Sequence, residues 1–229
     1  AHGQLVLVRL QRRARRDVVG QHDQVGLGFQ QRHPLARPLQ QQRIAEETAR
    51  LFAPLAHRLG VYWMKEELEA LAFYYTHREQ WEEIDRYVRE KFRGDPNAVL
   101  ALLQDKVREA VGKNCSAVAG KVAQITGRIK SYASIYAKTI KQDKSLASLH
   151  DIIGVRVILD TKDSGDCYLV MAALHSFPEF TMVGGRIKDY IARPKANGYQ
   201  SLHTVLRHRE YSMEVQIRTV EMHRIAEEG

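Results

Sequence analysis

The sequence has few of the features that stabilise secreted or membrane-embedded proteins. Its 229 residues include two cysteines, Cys115 and Cys167, and these follow no metal-ligand spacing. A disulfide framework is therefore not indicated, and we expect a reducing compartment. No run of apolar residues approaches the length needed to span a bilayer, so we expect no membrane partner.

Excess positive charge is scarce outside the first 43 residues. That segment holds eight of the 35 basic residues and two of the 27 acidic ones, which leaves 27 basic and 25 acidic residues in the remaining 186. The formal net charge of +8 therefore comes mainly from this segment. The body of the chain lacks a strong nucleic-acid signature, which weakens an RNA-binding interpretation.

The basic segment also lacks serine and threonine. Organelle transit peptides are rich in arginine but also in serine, so the segment does not fit that class. We expect residues 1–40 to be irregular, and either non-native or disordered. Because the chain begins at Ala1 without an initiator Met and stops at Gly229 within a predicted helix, we interpret it as a fragment of a longer protein.

The remaining sequence predicts helices first and then a mixture of helices and strands. Apolar residues recur at three- and four-residue steps from Gln41 to Phe92, with a break at Gly60, and again from Ala98 to Val111. Further on, we predict strands at 121–125, 152–159, 202–206 and 212–219, and helices at 128–144, 166–176 and 220–228. This order favours an α+β fold, a mixed sheet flanked by helices after a helical segment. We place the helical linker region at 41–112 and the mixed domain at 113–229.

A line of basic residues follows the predicted helix at 128–144. Lys130, Ser134 and Lys138 fall at four-residue steps, so they share one face, and Arg128 stands at the start. Fixed positive charges beside the free N–H groups of a helix start are suited to binding a polyphosphate. The alternative is a solvated basic face, which spacing alone does not exclude.

Two acidic residues in separate strands suggest a metal site. Asp151 comes directly before the strand at 152–159, and Arg156 lies inside that strand, where a charge needs a partner. In the strand at 212–219, Glu214, Gln216 and Arg218 alternate with apolar residues and so share one face. A turn carboxylate and an exposed sheet face are the alternatives. If Asp151 and Glu214 lie on neighbouring strands, they are suited to holding Mg²⁺.

A loop-rich stretch from Arg186 to His203 combines cations with aromatic residues. Its chemistry-bearing residues are Arg186, Lys188, Arg193, Lys195, Asn197, Tyr199 and His203, with Pro194 and Gly198 shaping the backbone. Cations suit the phosphates of a nucleotide, and an exposed ring suits its base. A generic surface loop can have a similar composition.

These residues resemble the synthetase domain of the RelA/SpoT enzymes, the stringent-response alarmone synthetases. The resemblance extends from about Lys121 to Gly229, and residues 41–75 are similar to the helices that precede this domain in long family members. The matching blocks are 127–130, 134–136 with Lys138, 151–156, 188–191, 194–204 and 214–219. The resemblance implies a fold similar to the nucleotidyltransferase palm and transfer of a diphosphate from ATP to the 3′-hydroxyl of GDP or GTP.

The resemblance also implies roles for individual residues. Asp151 and Glu214 would bind Mg²⁺, and Glu214 would ligate the metal or accept the 3′-hydroxyl proton. The catalytic set implied is Asp151, Glu214, Gln216 and His203. The ATP site implied is Arg128 at the adenine, Lys130 and Lys138 at the phosphates, and Ser134 and Arg156. The acceptor site implied is Tyr199 stacked on guanine, with Arg186, Lys188, Lys195, Asn197 and His203 around the ribose and phosphates.

The chain departs from the family pattern at two points. Ala133 stands where the family usually has Tyr, which we interpret as a packing change. The hydrolase arm of bifunctional members needs a metal-binding His-Asp framework, and His22 and Asp23 lack its surrounding pattern, so we expect no hydrolysis of (p)ppGpp.

Other functions and the setting of the protein stay open at this point. One alternative is a catalytically silent domain that senses nucleotides, and another is an RNA-contacting protein that uses residues 1–43. The resemblance allows the bacterial cytoplasm or the chloroplast stroma. It also allows ribosome or regulatory-domain contacts through parts of the chain outside this sequence.

Overall fold

The part of the chain that precedes the sheet is helical. The computed structural model describes residues 36–143 and 145–228, and Leu39–Gly229 form one compact unit. The helices of this part are α1 (Ala36–Glu47), α2 (Ala53–Arg58), α3 (Tyr62–Thr76), α4 (Arg78–Lys91), α5 (Pro96–Asn114) and α6 (Ser116–Ala119), with a π-helical turn at Thr48–Phe52. The helices predicted from apolar spacing are thereby confirmed. In the described part of the chain, every helix is too short or too polar to cross a membrane.

Helix α1 begins earlier than predicted. It starts at Ala36 rather than Gln41, so residues 36–40, predicted to be irregular, are helical. Pro38 is compatible with this start because it lies in the first helical turn, where a backbone N–H has no intrahelical partner. The rest of the predicted irregular segment lies outside the described residues, as do His22 and Asp23.

The second part of the chain forms a mixed sheet. Its strands are β1 (Val122–Ile129), β2 (Ile153–Leu159), β3 (Thr181–Met182), β4 (Lys188–Asp189), β5 (Leu202–His208) and β6 (Tyr211–Thr219). Their order is β1-β2-β6-β5-β3, with β4 beside β5, and β2 runs parallel to β6 while the other described pairs are antiparallel. Helices α7 (Tyr132–Gln142), α8 (Gly165–His175) and α9 (Val220–Glu228) alternate with the strands. The predicted α+β fold is confirmed.

The structure corrects the prediction for residues 126–131. We predicted a short strand and then a helix from 128, but β1 runs to Ile129 and pairs with β2 without a break from Gln124 to Ile129. Helix α7 begins only after Ser131, whose hydroxyl accepts a hydrogen bond from the Ser134 N–H. Strand pairing and the serine cap determine where the helix starts, so Arg128 and Lys130 do not belong to a helical face.

The two faces of the sheet differ in character. One face carries Gly127, Val155, Val215 and Thr204 in neighbouring register positions, and helices α5 and α8 cover it. At Gly127 the approach of α5 is so close that an added Cβ would stand 2.5 Å from Leu100 Cδ1. The opposite face therefore remains for polar residues.

Aromatic side chains join helix α7 to the helices before the sheet. Tyr136 packs on Phe73 and His77 of the α3 end, with ring centroids 5.1 and 5.4 Å apart. Tyr132 packs on Trp81 of α4 and donates a 3.0 Å hydrogen bond to Asp85. These contacts fix helix α7 against α3 and α4.

Candidate active site

One row of residues crosses the polar face at the centre of the sheet. Arg128 of β1 lies opposite Gly154 of β2, and Gly154 lies opposite Glu214 of β6. Paired residues of neighbouring strands point to the same face, so Arg128 and Glu214 share it. Gly154 has no side chain to stand between them, and its missing Cβ would be 3.9 Å from the Glu214 carbonyl oxygen. The Arg128 cation and the Glu214 carboxylate therefore lie on the same face of the sheet, with no side chain on the strand between them.

Asp151 binds both lysines of the predicted phosphate site. Its Oδ2 accepts hydrogen bonds from Lys130 Nζ, at 2.9 Å, and from Lys138 Nζ. Burial alone raises the pKa of the Asp151 carboxyl, but the bonds from Lys138 and Lys130 outweigh burial and lower that pKa to about 2. The carboxylate is thus ionised at every pH at which the protein would work, and it holds both ammonium groups at one point.

Glu214 lies in a second polar cluster on the same face. Gln216 Nε2 donates to Glu214 Oε2 at 3.0 Å, and His203 Nδ1 lies 3.4 Å from Oε1. Burial raises the pKa of Glu214, but the His203 and Gln216 contacts lower it to about 2, against a raising effect of the nearby Asp151 charge. Glu214 is therefore ionised and close enough to Asp151 for like-charge repulsion to act.

The two carboxylates fit a magnesium ion by their chemistry. Magnesium prefers oxygen ligands and is commonly held by one or two carboxylates together with water and substrate phosphates. Among residues 36–143 and 145–228, no group of three or more His, Cys, Asp or Glu side chains is placed to hold a metal. A donor set of two ionised carboxylates suits Mg²⁺ that binds together with a polyphosphate.

An aromatic cluster lies beside Glu214. The hydroxyl oxygen of Tyr199 is 2.9 Å from His203 Nε2, and the rings of Tyr190, Tyr199 and His203 meet edge to face. The Lys195 ammonium stands over two of these rings, 4.6 Å from the Tyr190 centroid and 4.9 Å from that of Tyr199. An ammonium over two rings shows that electron-rich aromatic faces and a cation lie together at this place.

Two of the other predicted acceptor residues adjoin this cluster. Lys188 pairs in register with His203 across β4 and β5. Asn197 shapes the loop, because its Oδ1 accepts a 3.3 Å hydrogen bond from the Tyr199 N–H. Arg186 lies near His150, whose pKa is lowered by burial first and then by the Arg186 charge. Lys188 and Asn197 therefore adjoin the aromatic cluster, whereas Arg186 is placed by His150, the residue before Asp151.

The remaining predicted ATP residues are more dispersed. Ser134 lies at the start of α7, where its hydroxyl accepts a 2.9 Å hydrogen bond from Ser131. Arg128 pairs with Glu66 of α3 through Nη1, at 2.8 and 3.0 Å. Arg156 is paired with Glu227 of α9. Of the five, only Lys130 and Lys138 converge on Asp151 by direct contact.

Several residues of this region were missed by the sequence analysis. Tyr190 forms a wall of the aromatic cluster, and Glu66 and Glu227 pair with Arg128 and Arg156. Tyr190 has a weak signal, since it stands in the same loop as Tyr199. Glu66 and Glu227 have none, because their partners are distant in sequence.

Residues 127–229 match the description "Region found in RelA / SpoT proteins". This part of the chain belongs to the RelA/SpoT family. The match contains every residue that the sequence analysis assigned to the site, from Arg128 to Gln216. It leaves out the whole helical part, α1 to α6, which lies before residue 127.

Curated relatives of this RelA/SpoT region carry two kinds of name. A guanosine-3′,5′-bis(diphosphate) 3′-pyrophosphohydrolase from Aquifex aeolicus is 42% identical over 194 residues, covering 84% of this chain and 27% of the relative. A GTP pyrophosphokinase from Streptomyces coelicolor is 42% identical over 190 residues, covering 82% and 21%. The chain thus spans about a quarter of the length of the curated relatives it matches.

A solved structure is also similar to the RelA/SpoT chain. It is the small alarmone synthetase 1 from Bacillus subtilis bound to its product pppGpp, at 25% identity, with a TM-score of 0.48, covering 62% of this chain and 76% of that one.

Proposed function

We propose that this chain is a (p)ppGpp synthetase, a GTP diphosphokinase that transfers a diphosphate from ATP to the 3′-hydroxyl of GDP or GTP in the stringent response. The observation that carries the proposal is the proximity of two ionised carboxylates, since the charge of Asp151 acts to raise the pKa of Glu214. A lysine pair adjoins the first and an aromatic cluster adjoins the second. The family match and the names of the relatives support the same reaction class.

On the donor side, Lys130 and Lys138 would bind the ATP phosphates. Both ammonium groups already lie at Asp151 Oδ2, and each can exchange part of that contact for a phosphate oxygen. Arg128 and Arg156 would lie toward the adenine end, and Ser134 would add a hydroxyl at the helix start. The acceptor would occupy the side of Tyr199.

On the acceptor side, Tyr199 would stack on guanine. Lys195, now over the Tyr190 and Tyr199 rings, would turn to the acceptor phosphates when the base takes its place. Arg186, Lys188 and Asn197 would line the ribose and phosphates. His203 would fix the side chains of Tyr199 and Glu214 relative to each other, since it contacts both.

The transfer step needs the acceptor oxygen, the β-phosphorus and the leaving oxygen in one line. The 3′-oxygen forms a bond to the β-phosphorus of ATP, the bond from that phosphorus to the α,β-bridging oxygen breaks, and AMP leaves. Glu214 receives the 3′-hydroxyl proton, and Gln216 keeps its carboxylate oriented. Mg²⁺ held by Asp151 and Glu214 would supply positive charge to the transferring diphosphate. Lys130 and Lys138 would stabilise the same charge.

The purified chain is expected to convert ATP and GDP into ppGpp and AMP when Mg²⁺ is supplied. The measurement is transfer of label from [β-³²P]ATP to a guanosine product, with a parallel reaction lacking GDP as the control. Product without GDP, or label released as free diphosphate, would contradict the proposal. Binding of both nucleotides without any transfer would instead favour the catalytically silent sensing domain.

Tyr199→Ala is expected to raise the KM for GDP about tenfold, because loss of base–aromatic stacking costs roughly 1–3 kcal/mol. The turnover number should change less, since the carboxylates remain. Tyr199→Phe is the matched control, because it keeps the ring and removes only the hydroxyl contact with His203. Equal KM values for the two variants, measured at saturating ATP, would exclude stacking as the role of Tyr199.

The division of the chain stays a prediction. We keep residues 41–112 as a helical linker region and 113–229 as the synthetase domain. The bacterial cytoplasm and the chloroplast stroma stay the two predicted locations.

A further inference from the structure

Two arginines lie close together on the polar face of the sheet. Arg156 of β2 pairs in register with Gln216 of β6, and Arg218 is the next residue on that face of β6. The Arg218 side chain is 1% exposed and that of Arg156 is 24% exposed. Burial, and then the charge of Arg156, lower the pKa of Arg218. The two positive charges therefore repel each other.

One carboxylate on the last helix contacts both arginines. Glu227 Oε1 lies 3.1 Å from Arg156 Nη1 and 3.1 Å from Arg218 Nη2. Arg218 Nη2 also lies 2.8 Å from His223 Nδ1, one turn earlier on α9. Among the described residues, the Nε atoms of both arginines are buried without a hydrogen-bond partner. Because so little else offsets their repulsion, the arrangement of this pair depends strongly on Glu227.

The two arginines belong to different halves of the site. Arg156 is one of the residues proposed for ATP. Arg218 lies under the acceptor side, with its Cζ 6.0 Å from the centroid of the Tyr199 ring. Both charges act on Tyr199: burial raises its pKa, while the charges of Arg218 and Arg156 act to lower it. The Glu227 carboxylate therefore lies where the two proposed nucleotide subsites meet.

We infer that Glu227 is a positioning residue that holds Arg156 and Arg218 in place and thereby sets the affinity of both nucleotide subsites. The inference rests on the proposed function. In this arrangement Glu227 holds Arg156, which is proposed for the donor subsite, beside Arg218, which supports the ring on which the acceptor base stacks. When the carboxylate is lost, the two like charges separate and both subsites are disturbed together.

Glu227→Gln is expected to raise the KM for ATP and the KM for GDP, each about tenfold. The turnover number should fall less than threefold, because Glu227 touches neither carboxylate of the catalytic pair. The glutamine keeps the size and helix propensity of the side chain and removes its charge. Glu227→Asp retains the charge on a shorter side chain and is expected to give KM values between those of the glutamine variant and the unaltered chain.

Glu221→Gln is the matched control on the same helix. Glu221 is paired with Arg224 through contacts of 2.7 and 3.1 Å on the exposed side, away from the arginine pair. The same loss of charge there is expected to leave both KM values within twofold. Thermal melts of all variants separate loss of fold from loss of positioning.

Two results would overturn the inference. One is a Glu227→Gln chain whose KM values equal those of Glu221→Gln. The other is a Glu227→Gln chain with a lower melting temperature and lower turnover but unchanged KM values, which is what a purely structural anchor for α9 would produce. An unaltered chain without transfer activity would contradict the proposed function instead. In that case, equilibrium titration of the same variants with fluorescent N-methylanthraniloyl ATP and GDP decides the inference by the same comparison.

Discussion

Glu214→Gln is expected to lower the turnover number about a thousandfold while both KM values stay within about threefold. General base catalysis contributes up to about 10⁴-fold, and glutamine neither accepts the 3′-hydroxyl proton nor offers an anionic oxygen to a metal. The pKa of Glu214 is about 2, so the unaltered chain carries this charge throughout the neutral range. The side-chain shape is preserved, so in the free protein the substitution alters chiefly the contacts with His203 and Gln216. Initial rates at saturating ATP and GDP provide the measurement.

Glu210→Gln is the matched control for this substitution. Glu210 lies in the turn between β5 and β6 and pairs with Arg93 at 2.7 Å. The same chemical change there is expected to leave turnover unaffected. Comparable losses in the two variants would mean that charge at Glu214 has no special role, and the catalytic proposal would have to be abandoned.

Asp151→Asn is expected to lower turnover about a hundredfold and to change the response of ATP binding to magnesium. Removing the carboxylate takes away one of the two proposed metal ligands, and preorganised charge of this kind is typically worth several kcal/mol in transfer reactions. It also leaves Lys130 and Lys138 without the partner that now neutralises them. In the presence of EDTA, ATP should therefore bind the variant more tightly than it binds the unaltered chain. Magnesium should strengthen binding only to the unaltered chain.

Equilibrium titration with fluorescent ATP, with and without magnesium, tests this inversion independently of turnover. Asp105→Asn is the control, since Asp105 pairs with Arg108 on the exposed surface of α5. If Asp151→Asn retains the magnesium dependence of the unaltered chain, Asp151 has no part in holding the metal. If the variant binds ATP more weakly than the unaltered chain in EDTA, then Lys130 and Lys138 do not bind the ATP phosphates once Asp151 is neutralised.

The parts of the fold that sequence alone predicts well have strong local patterns. The alternation of Met213, Val215 and Ile217 with Glu214, Gln216 and Arg218 predicts a two-faced strand, and β6 confirms it. Helix α9 spans the predicted residues. In both cases the pattern that specifies the element is contained within the element.

The predictions from sequence are wrong where contacts between residues distant in sequence determine the structure. Lys130 fits a helical face with Ser134 and Lys138 by spacing, but pairing with β2 extends β1 through Ile129. The two lysines still meet, because both reach Asp151 from different elements. Arg218 has the alternation expected of a surface residue, and its burial follows from α9 packing over it. The sequence spacing also does not indicate that Glu227 contacts the Arg218 guanidinium.

Residue chemistry and spacing predicted less about the site than the resemblance to a family did. Chemistry and spacing suggested Asp151, Glu214 and the loop of Tyr199 as candidates, each with an ordinary structural alternative. Their individual roles came from resemblance to a family. The structure adds the contacts that neither source contains, such as the tie between Tyr199, His203 and Glu214.

The position of β6 in the sheet has a consequence for how the protein reaches its native state. Among the described strands β6 comes last in sequence, yet it lies between β2 and β5, and Ile153 of β2 is about sixty residues away from its partner Met213. Closing so long a loop is entropically costly and makes such pairings slow. Asp151 and Glu214 consequently come together only after β6 has been synthesised and inserted between β2 and β5, so the proposed site cannot form from the residues that precede β6.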